Sequence, residues 1–375
     1  MKFAIVTHVI HKQETHLLYA YEPYVKEMNI WFKFVNDVRI VAPVLYEKHS
    51  SIESNYISKN IVIDKIPSID ALNFLNKIKS FIKSPVIFFK IFKSMLWADH
   101  IHLRCPGNIG LLGCLVQLFF PNTPKTVKYA GNWDPNSKQP FSYRLQKWIL
   151  SNTLLTRNCK VLVYGEWKNQ TKNIIPFFTA SYHKNEIIPI PNKKLSSVIN
   201  FIFVGTFSQG KQPLLSVKLI EKLLQENYNV QLDMYGEGEE FKKIKAYVCQ
   251  KNLEGSVFLH GNQSKEVVKE AYQKSHFLIF VSKSEGWPKV VAEAMFWGCL
   301  PISSKVSCVE SMLGNGSRGT VIAPNANSDE IVQIIKGYIE KEDAYQKQIL
   351  NAKKWSQQYT LEVFEHKIKK LLLDE

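Results

Sequence analysis

The stretch "SEGWPKVVAEAMFWG" places two glutamates, Glu285 and Glu293, around the predicted N-terminus of a helix. The first backbone N–H groups of such a helix, together with its dipole, favour a phosphate beside Gly286, Trp287 and Pro288. Carboxylates on either side accept hydrogen bonds from sugar hydroxyls. This layout matches a nucleotide diphosphate sugar, in which a diphosphate lies between two polyhydroxyl groups. Taken alone, two glutamates at this spacing also fit a solvated helix face.

Three further motifs favour the ligand site over the solvated face. "VGTFSQGK" ends a predicted strand in a small-residue loop that leads from Gly205 to Lys211, a cation able to reach a diphosphate. "YGEGEEF" places Gly236 and Gly238 after the next strand, where the backbone could pack closely against a base or ribose. "GCLPISS" predicts a tight turn into a later strand. Lys211 and the helix amides would stabilise the charge that develops on a departing diphosphate.

The first half of the chain has weaker candidates, all at predicted strand ends. In "THVIHKQETH", His8 and His11 could touch a donor or acceptor, and both also fit ordinary loop histidines. In "HLRCPGNIG", Arg104 could bind an anionic acceptor. In "YAGNWDP", Asn132 or Asp134 could orient the attacking hydroxyl, since a base must lie within hydrogen-bond reach. Asp134 fits the start of an Asp-Pro turn equally well.

Both halves of the chain alternate short apolar strands with longer helical stretches. The predicted strands are residues 2–8, 37–44, 60–66, 99–104, 125–131 and 160–165, then 200–205, 230–236, 256–261, 277–282 and 300–304. This order implies an α/β protein of two Rossmann-like, doubly wound parallel-sheet domains that face each other across a cleft, with ligands at the carboxyl ends of the strands. Pro, Asn and Ser at residues 187–200 predict the linker between them.

The positive charge lies almost entirely in the first half. The chain carries +15, and residues 1–200 account for +14, from 26 Lys and Arg against 12 Asp and Glu. We expect this basic half to bind an anionic partner, for example a phospholipid surface, a phosphorylated acceptor or a nucleic acid. Residues 73–97 interleave five lysines with aromatic and aliphatic residues. They predict either a membrane-surface helix or, with a break at Ser84 and Pro85, a core helix over 86–97. No recognition motif supports nucleic acid.

Several classes of protein are disfavoured by the same sequence. No segment reaches the roughly 18 apolar residues of a membrane-spanning helix, and the N-terminus lacks a signal-peptide cleavage site. The six cysteines form neither a C-x-x-C pair nor a zinc pattern. We therefore expect a reduced cytoplasmic protein, peripheral on the inner membrane if the membrane-surface interpretation is right. "GEGEEF" lacks the third glycine of an NAD-binding fingerprint, which disfavours an oxidoreductase.

The second half resembles the nucleotide-sugar-binding domain of the retaining GT-B glycosyltransferases called family 4, or glycosyl transferases group 1. The motifs that carry the resemblance span most of residues 200–325. They are Gly205 and Lys211, Gly236-Glu237-Gly238, His260-Gly261, Ser284-Glu285-Gly286-Trp287-Pro288, Glu293-Ala294-Met295, Gly298 and Pro301. The resemblance implies metal-independent transfer from a nucleotide diphosphate sugar without a cofactor, and no D-x-D triplet occurs in the chain.

The resemblance also implies residue roles and a domain plan. The first glutamate of the pair, Glu285, would contact the donor sugar, and the second, Glu293, the nucleotide ribose. Lys211 would bind the diphosphate. We expect a basic acceptor-binding domain at 1–195, a nucleotide-sugar-binding domain at 196–350, and terminal helices at 351–375 that cross back to the first domain. The acceptor would be a glycan or a polyprenyl-linked sugar in cell-surface polysaccharide or glycoconjugate synthesis.

One departure from the family pattern concerns the diphosphate. Members commonly carry Arg after "VG", where this chain has Thr206. Either Lys289, next to Val290 in the predicted donor site, or a group from the other domain replaces that arginine, or the donor is bound less tightly. Two alternatives to a glycosyltransferase stay open. One is a GT-B enzyme of another outcome, such as a nucleotide-sugar epimerase or a phosphorylase, and the other is a non-catalytic membrane-surface scaffold.

Overall fold

The computed structural model describes residues 1–50, 52–58, 60–69, 74–189, 193–195 and 197–373, the side chains of residues 74–81 excepted. The chain divides into two compact units. Unit 1 comprises Met1–Phe178 and Phe364–Glu375, and unit 2 comprises Thr179–Val363. The first crossing between the units therefore follows residue 178, earlier than the predicted domain boundary at residue 195.

Unit 1 is built on one sheet whose main strands run parallel. Its strands are β1 (Lys2–Val6), β2 (His11–Glu14), β3 (Leu17–Tyr21), β4 (Asp37–Leu45), β5 (Glu53–Asn55), β6 (Ile61–Ile66), β7 (His100–Cys105), β8 (Lys125–Tyr129), β9 (Cys159–Tyr164) and β10 (Ile174–Phe177). The order across the sheet is β10-β9-β8-β7-β1-β4, and β6 also pairs with β4. The apolar run from Phe3 to Val6 is fully buried, as expected for a parallel strand covered on both faces.

One helix of unit 1 differs from its prediction. The helices are α1 (Glu22–Phe32), α2 (Phe74–Trp97), α3 (Asn108–Val116) and α4 (Phe141–Ser151). α2 runs unbroken through Pro85, so the predicted break at this point is wrong. A proline removes one helical hydrogen bond, but Ile87, Ile91 and Met95 are buried in the unit 1 core and hold the following turns in place. None of the helices in the described part of the chain has the length and hydrophobicity to span a bilayer.

A β-hairpin follows β1 where the sequence predicts a loop. β2 and β3 pair antiparallel through a turn at Thr15 and His16, and β2 also pairs with β4. Thr15 adopts the left-handed conformation at φ 51°. The sequence does not predict this hairpin, because "HKQETH" contains neither an Asn-Gly or Asp-Gly turn nor apolar alternation. The hairpin widens the sheet through the order β4-β2-β3-β5.

Unit 2 is built on a second parallel sheet. Its strands are β11 (Ile199–Val204), β12 (Val230–Tyr235), β13 (Val257–Gly261), β14 (Phe277–Phe280), β15 (Leu300–Ser304) and β16 (Thr320–Ile322). Its helices are α5 (Pro213–Gln225), α6 (Phe241–Gln250), α7 (Lys265–Lys274), α8 (Lys289–Phe296), α9 (Val309–Met312), α10 (Ser328–Glu340) and α11 (Glu342–Ser356). The order is β13-β12-β11-β14-β15-β16, so the direction of winding reverses between β11 and β14. All eleven predicted strands are present, and the predicted class of two parallel-sheet α/β domains is confirmed.

The C-terminal helix α12 (Leu361–Leu373) lies mostly in unit 1. The ring of Phe364 lies 5.5 Å from that of Phe177 and 5.7 Å from that of Phe178. Lys128, fully buried in β8, places its Nζ 4.4 Å from the Phe177 ring centroid and 5.8 Å from the Phe364 ring centroid. Of the predicted terminal helices, α12 therefore packs on unit 1, whereas α11 belongs to unit 2.

Three histidines are buried in unit 1. Burial lowers the pKa of His11 and that of His100 to about 4, and the pKa of His102 to about 3. Each is neutral in the folded chain at neutral pH, whereas in the unfolded chain a histidine binds a proton below about pH 6.5. Because the unfolded state then binds more protons, acid destabilises the fold between about pH 6.5 and pH 4.

We predict that His11→Gln destabilises the chain less near pH 5 than near pH 8. Between about pH 6.5 and pH 4, His11 lowers the free energy of unfolding of the wild type by about 1.4 kcal/mol for each pH unit of acidification. Gln does not titrate, so the variant lacks this contribution. Urea unfolding at the two pH values measures the difference. An equal cost of the substitution at both pH values would contradict the assignment.

Candidate active site

The loop between β14 and α8 lies at the carboxyl edge of the unit 2 sheet, beside the reversal of strand order. Doubly wound sheets bind ligands at such points. α8 begins at Lys289 with Pro288 as its N-cap residue. The Ser304 hydroxyl accepts a hydrogen bond from the Ser282 N–H (2.9 Å) and donates one to the Ser282 carbonyl (2.6 Å). These two bonds hold the start of the loop.

Lys211 and Glu285 form an ion pair at this edge. Nζ of Lys211 lies 3.3 Å from Oε1 of Glu285, and the Ser282 hydroxyl donates to the same oxygen at 2.8 Å. The Lys211 and Glu285 side chains are 27% and 15% exposed, so the pair is shielded from bulk water yet accessible to a ligand. The two residues follow β11 and β14, and they meet because these strands are neighbours in the sheet.

Close backbone packing places Lys211 at this position. A Cβ on Gly236, which has φ 125°, would lie 2.0 Å from the Gly205 carbonyl oxygen. A Cβ on Gly238 would lie 2.6 Å from the Phe207 carbonyl oxygen, and one on Gly205 would lie 3.2 Å from Cδ of Lys211. The sequence predicts that Gly236 and Gly238 make room for a base or ribose. In the structure they make room for the loop that leads to Lys211.

Glu293 lies half-buried on α8, and it has a partner that the sequence did not reveal. The Ser181 hydroxyl donates to Oε1 of Glu293 at 2.5 Å. Lys265 donates to the Ser181 carbonyl and lies over the Tyr182 ring, 4.6 Å from its centroid. Burial, and after it the charge of Glu293, raises the pKa of Tyr182 and of Tyr272. Glu293 is therefore held beside hydroxyl groups, and its carboxylate oxygens can accept further hydrogen bonds.

Trp287 packs its side chain within unit 2. Its ring centroid lies 6.3 Å from that of Trp355 and 6.0 Å from that of Tyr359. The Ser307 hydroxyl donates to the Gly286 carbonyl at 2.8 Å. Both interactions fix the backbone of residues 286–288, so these residues contribute a rigid loop to the edge of the sheet.

The other predicted donor residues occupy the two sides of the ion pair. Thr206 is exposed just after β11, and Lys289 and Val290 form the first turn of α8, where both are half-buried. A diphosphate at this edge would therefore lie between the β11 loop and the N-terminus of α8. Helix N-termini favour anions.

The structure corrects the predicted role of His11. His11 begins β2 and is fully buried. Its Nδ1 lies 2.9 Å from the Val9 carbonyl oxygen and its Nε2 lies 2.8 Å from the Tyr56 hydroxyl. Both ring nitrogens are used inside the fold, so His11 is a core residue and not an acceptor-binding residue.

His8 and Arg104 lie at the carboxyl ends of the adjacent strands β1 and β7. His8 is exposed and packs against Gly107, where a Cβ would lie 3.0 Å from the His8 Nδ1. Desolvation of the ring by the protein groups around it, and after it the charge of Arg104, lowers the pKa of His8. Arg104 forms an ion pair with Glu27 at 3.2 Å and lies 5.5 Å from the centroid of the Tyr24 ring. The charge of Arg104 is therefore balanced within unit 1.

Asn132 and Asp134 form a turn after β8. The Asp134 N–H donates to the Asn132 side-chain oxygen at 2.9 Å, and the Asn136 N–H donates to the Asp134 carboxylate at 2.8 Å. Lys147 donates to the Asp134 backbone carbonyl at 3.1 Å. These bonds bear out the turn interpretation of Asp134. Its role as acceptor base stays a prediction.

The groups at the unit 2 edge define the chemistry available there. They include the Lys211 ammonium, the carboxylates of Glu285 and Glu293, and the N-terminus of α8, which together can bind a diphosphate and two hydroxyl-bearing groups. Within the described ranges, no three His, Cys, Asp or Glu side chains come together as metal ligands would.

Comparison with known proteins agrees with this geometry. Residues 185–355 match the family model described as "Glycosyl transferases group 1". A lipopolysaccharide 1,6-galactosyltransferase of Escherichia coli (strain K12) is 28% identical over 159 residues, 42% of this chain and 41% of its own length. The Salmonella typhimurium enzyme of the same name is 30% identical over 170 residues, 44% of this chain and 46% of its own length. The chain thus spans less than half the length of these curated relatives.

Solved structures are similar over the whole chain. A lipopolysaccharide outer core galactosyltransferase in its apo form has a TM-score of 0.69 at 18% identity, with 99% of each chain covered. An Anabaena protein in complex with UDP and glucose has a TM-score of 0.67 at 13% identity, again with 99% of each chain covered. These similarities show that the chain has the GT-B fold.

We predict that Gly236→Ala destabilises the chain by several kcal/mol, of the order expected for severe overpacking plus backbone strain. The added methyl would meet the Gly205 carbonyl oxygen, which belongs to backbone and cannot rotate away. Gly337→Ala is the matched control, because this glycine lies inside α10 and a Cβ there meets nothing within 4 Å. The control should stabilise the chain by up to about 1 kcal/mol. Equal urea midpoints for the two variants would contradict the close approach.

Proposed function

We propose that this chain is a retaining, metal-independent glycosyltransferase that moves a sugar from a nucleotide diphosphate sugar to a glycan or lipid-linked acceptor. The observation that carries the proposal is the pair formed by Lys211 and Glu285, at the strand reversal of unit 2 and beside the N-terminus of α8. The match of residues 185–355 to group 1 glycosyltransferases supports it.

Donor binding would change the partner of Lys211. In the structure, the ammonium of Lys211 is balanced by Glu285. A diphosphate offers two negative charges and several acceptor oxygens, and so competes with the carboxylate for Lys211. As Lys211 turns to the diphosphate, the Glu285 carboxylate becomes available to the hydroxyls of the donor sugar. Glu293, beside Ser181, would accept hydrogen bonds from the ribose hydroxyls.

The reaction then follows from where charge develops. The bond between the sugar C1 and the diphosphate oxygen breaks, and a bond between C1 and the acceptor hydroxyl oxygen forms on the same face of the sugar. Lys211 and the N-terminus of α8 stabilise the charge on the departing diphosphate. Glu285 stabilises the positive charge that develops at the sugar. The hydroxyl proton passes to the departing phosphate or to a base, for which Asp134 is our prediction.

The named relatives support a choice of substrates to test first. The Anabaena structure holds UDP and glucose, and the two curated relatives are galactosyltransferases of lipopolysaccharide. We propose a UDP-hexose as donor and a cell-surface polysaccharide or glycoconjugate precursor as acceptor. Transfer would take place on the cytoplasmic side, with the enzyme peripheral on the inner membrane.

We predict that Glu285→Gln lowers kcat for sugar transfer by about 100-fold or more, because the neutral amide no longer stabilises the developing positive charge. Glu310→Gln is the matched control, since it breaks the exposed pair between Lys305 and Glu310 (2.7 Å) in the same unit. This control should keep wild-type turnover. The rate of product formation is measured with and without a metal chelator, and nuclear magnetic resonance determines the anomeric configuration of the product.

Three results would contradict the proposal. Transfer by Glu285→Gln at the wild-type rate would remove Glu285 from the chemistry. Loss of wild-type transfer in the chelator would contradict metal independence, and an inverted anomer would contradict retention. An altered donor sugar without transfer would favour an epimerase.

A further inference from the structure

Three neighbouring helices of unit 1 expose large apolar side chains. α2 packs against α3, and α3 packs against α4. The following side chains are 56–75% exposed and are named the α2–α4 surface: Ile82, Val86, Phe89 and Leu96 on α2, Phe119 in the short helix Gln117–Phe119, and Phe141, Trp148 and Leu154 on or after α4. Residue 73 and the side chains of residues 74–81, part of the predicted membrane segment, lie outside the described residues.

This surface is separate from the core-facing side of α2. Ile87 and Ile91 are buried in the unit 1 core, whereas Val86 and Phe89, one helical turn apart, face outward. Residues 86–97 are therefore a core helix on one side only, which the sequence did not predict. The Phe119 ring lies 6.1 Å from that of Phe88 and 6.0 Å from that of Phe92, so α2 and the short helix form one continuous surface.

The exposed charges on and beside these helices are mostly positive. Between residues 82 and 158, five basic side chains are exposed, namely Lys83, Lys93, Lys138, Arg144 and Arg157, against one exposed acidic side chain, that of Asp99. Lys83 and Lys93 are exposed on α2 among the apolar side chains, and Arg144 is exposed on α4. Exposed aliphatic and aromatic side chains interleaved with lysines are typical of a surface that binds anionic lipid.

We infer that the α2–α4 surface binds the anionic face of a lipid bilayer. The apolar side chains would enter the boundary between headgroups and acyl chains, and the Lys and Arg side chains would bind the headgroup phosphates. A second copy of the chain fits less well, because a two-fold interface would place this positive surface against itself. A nucleic acid would use the positive charges but leaves exposed aliphatic residues such as Ile82, Val86 and Leu96 without a partner.

The orientation of α2 and α4 relates this surface to the carboxyl edge of the unit 1 sheet. α2 follows β6 and leads into β7, so its N-terminal end lies at the carboxyl edge of the unit 1 sheet. α4 follows β8, and Phe141 begins it just after the turn of Asn132 and Asp134. A bilayer on the α2–α4 surface would pass near Asn132 and Asp134 at its Phe141 end, whereas Leu96, Phe119 and Leu154 extend toward the opposite edge of the sheet. This last step rests on the proposed function, because only a lipid-linked acceptor requires it.

The test measures binding of the full chain to vesicles, without donor or acceptor. Vesicles of phosphatidylcholine are compared with vesicles that also contain phosphatidylglycerol. Phe89→Glu combined with Val86→Glu removes two apolar groups, and Lys83→Glu combined with Lys93→Glu reverses two charges. Leu350→Glu, at an exposed position of α11 in unit 2, is the matched control. All substituted positions are exposed, and thermal melting verifies that each variant is folded.

We expect the wild type and the Leu350→Glu control to bind the anionic vesicles equally. Each double variant should bind about tenfold more weakly or worse. Added salt should weaken the wild type, and vesicles of phosphatidylcholine alone should bind little. A wild type that ignores anionic vesicles, or double variants that bind like the wild type, would overturn the inference. A wild-type dimer that Phe89→Glu dissociates, without vesicle binding, would assign the surface to self-association instead. Because no sugar transfer is measured, these outcomes are independent of the proposed reaction.

Discussion

The candidate active site depends on two loop backbones approaching each other more closely than side chains would allow. The loop after β12 packs Gly236 against the carbonyl of Gly205 and Gly238 against that of Phe207. This contact holds the loop after β11 in the path that brings Lys211 over Gly205 and toward Glu285. The glycines therefore shape the candidate site through the backbone, because the close packing that they permit positions Lys211.

The two units differ in their charge. Unit 2 draws its charges from a stretch that is close to neutral, and at its edge a few charged groups come together: Lys211, Glu285, Glu293 and the N-terminus of α8. Unit 1 instead carries a general excess of positive charge, and Arg104, half-buried near the carboxyl end of β7, is already paired with Glu27. Part of the exposed positive charge of unit 1 lies on the outward helices, where Lys83 and Lys93 of α2 and Arg144 of α4 can act together on an extended anionic surface.

The sequence predicted the strands well, because buried parallel strands are apolar runs and several of them end at Gly or Pro. It also placed Glu285 in a loop and Glu293 in the helix that follows, and their roles in binding a donor stay predictions. It failed where the determining contact is distant in sequence. The partner of Glu293, Ser181, is separated from it by 112 positions. His11 resembled a loop residue because the turn of the hairpin that buries it has no recognisable sequence signature. α2 continues through Pro85 because Ile87, Ile91 and Met95 pack in the core, and the sequence alone does not reveal that packing.

The most direct measurement is the calorimetric affinity of UDP and of uridine for the wild type and for Lys211→Met, with Glu293→Ala alongside. The account predicts that the wild type prefers UDP over uridine, and that Lys211→Met loses roughly 10- to 100-fold in UDP affinity, the value of a charge-assisted contact. Uridine binding should be unchanged in Lys211→Met and weakened in Glu293→Ala. An undiminished preference for UDP in Lys211→Met would contradict the assignment of the diphosphate to this edge.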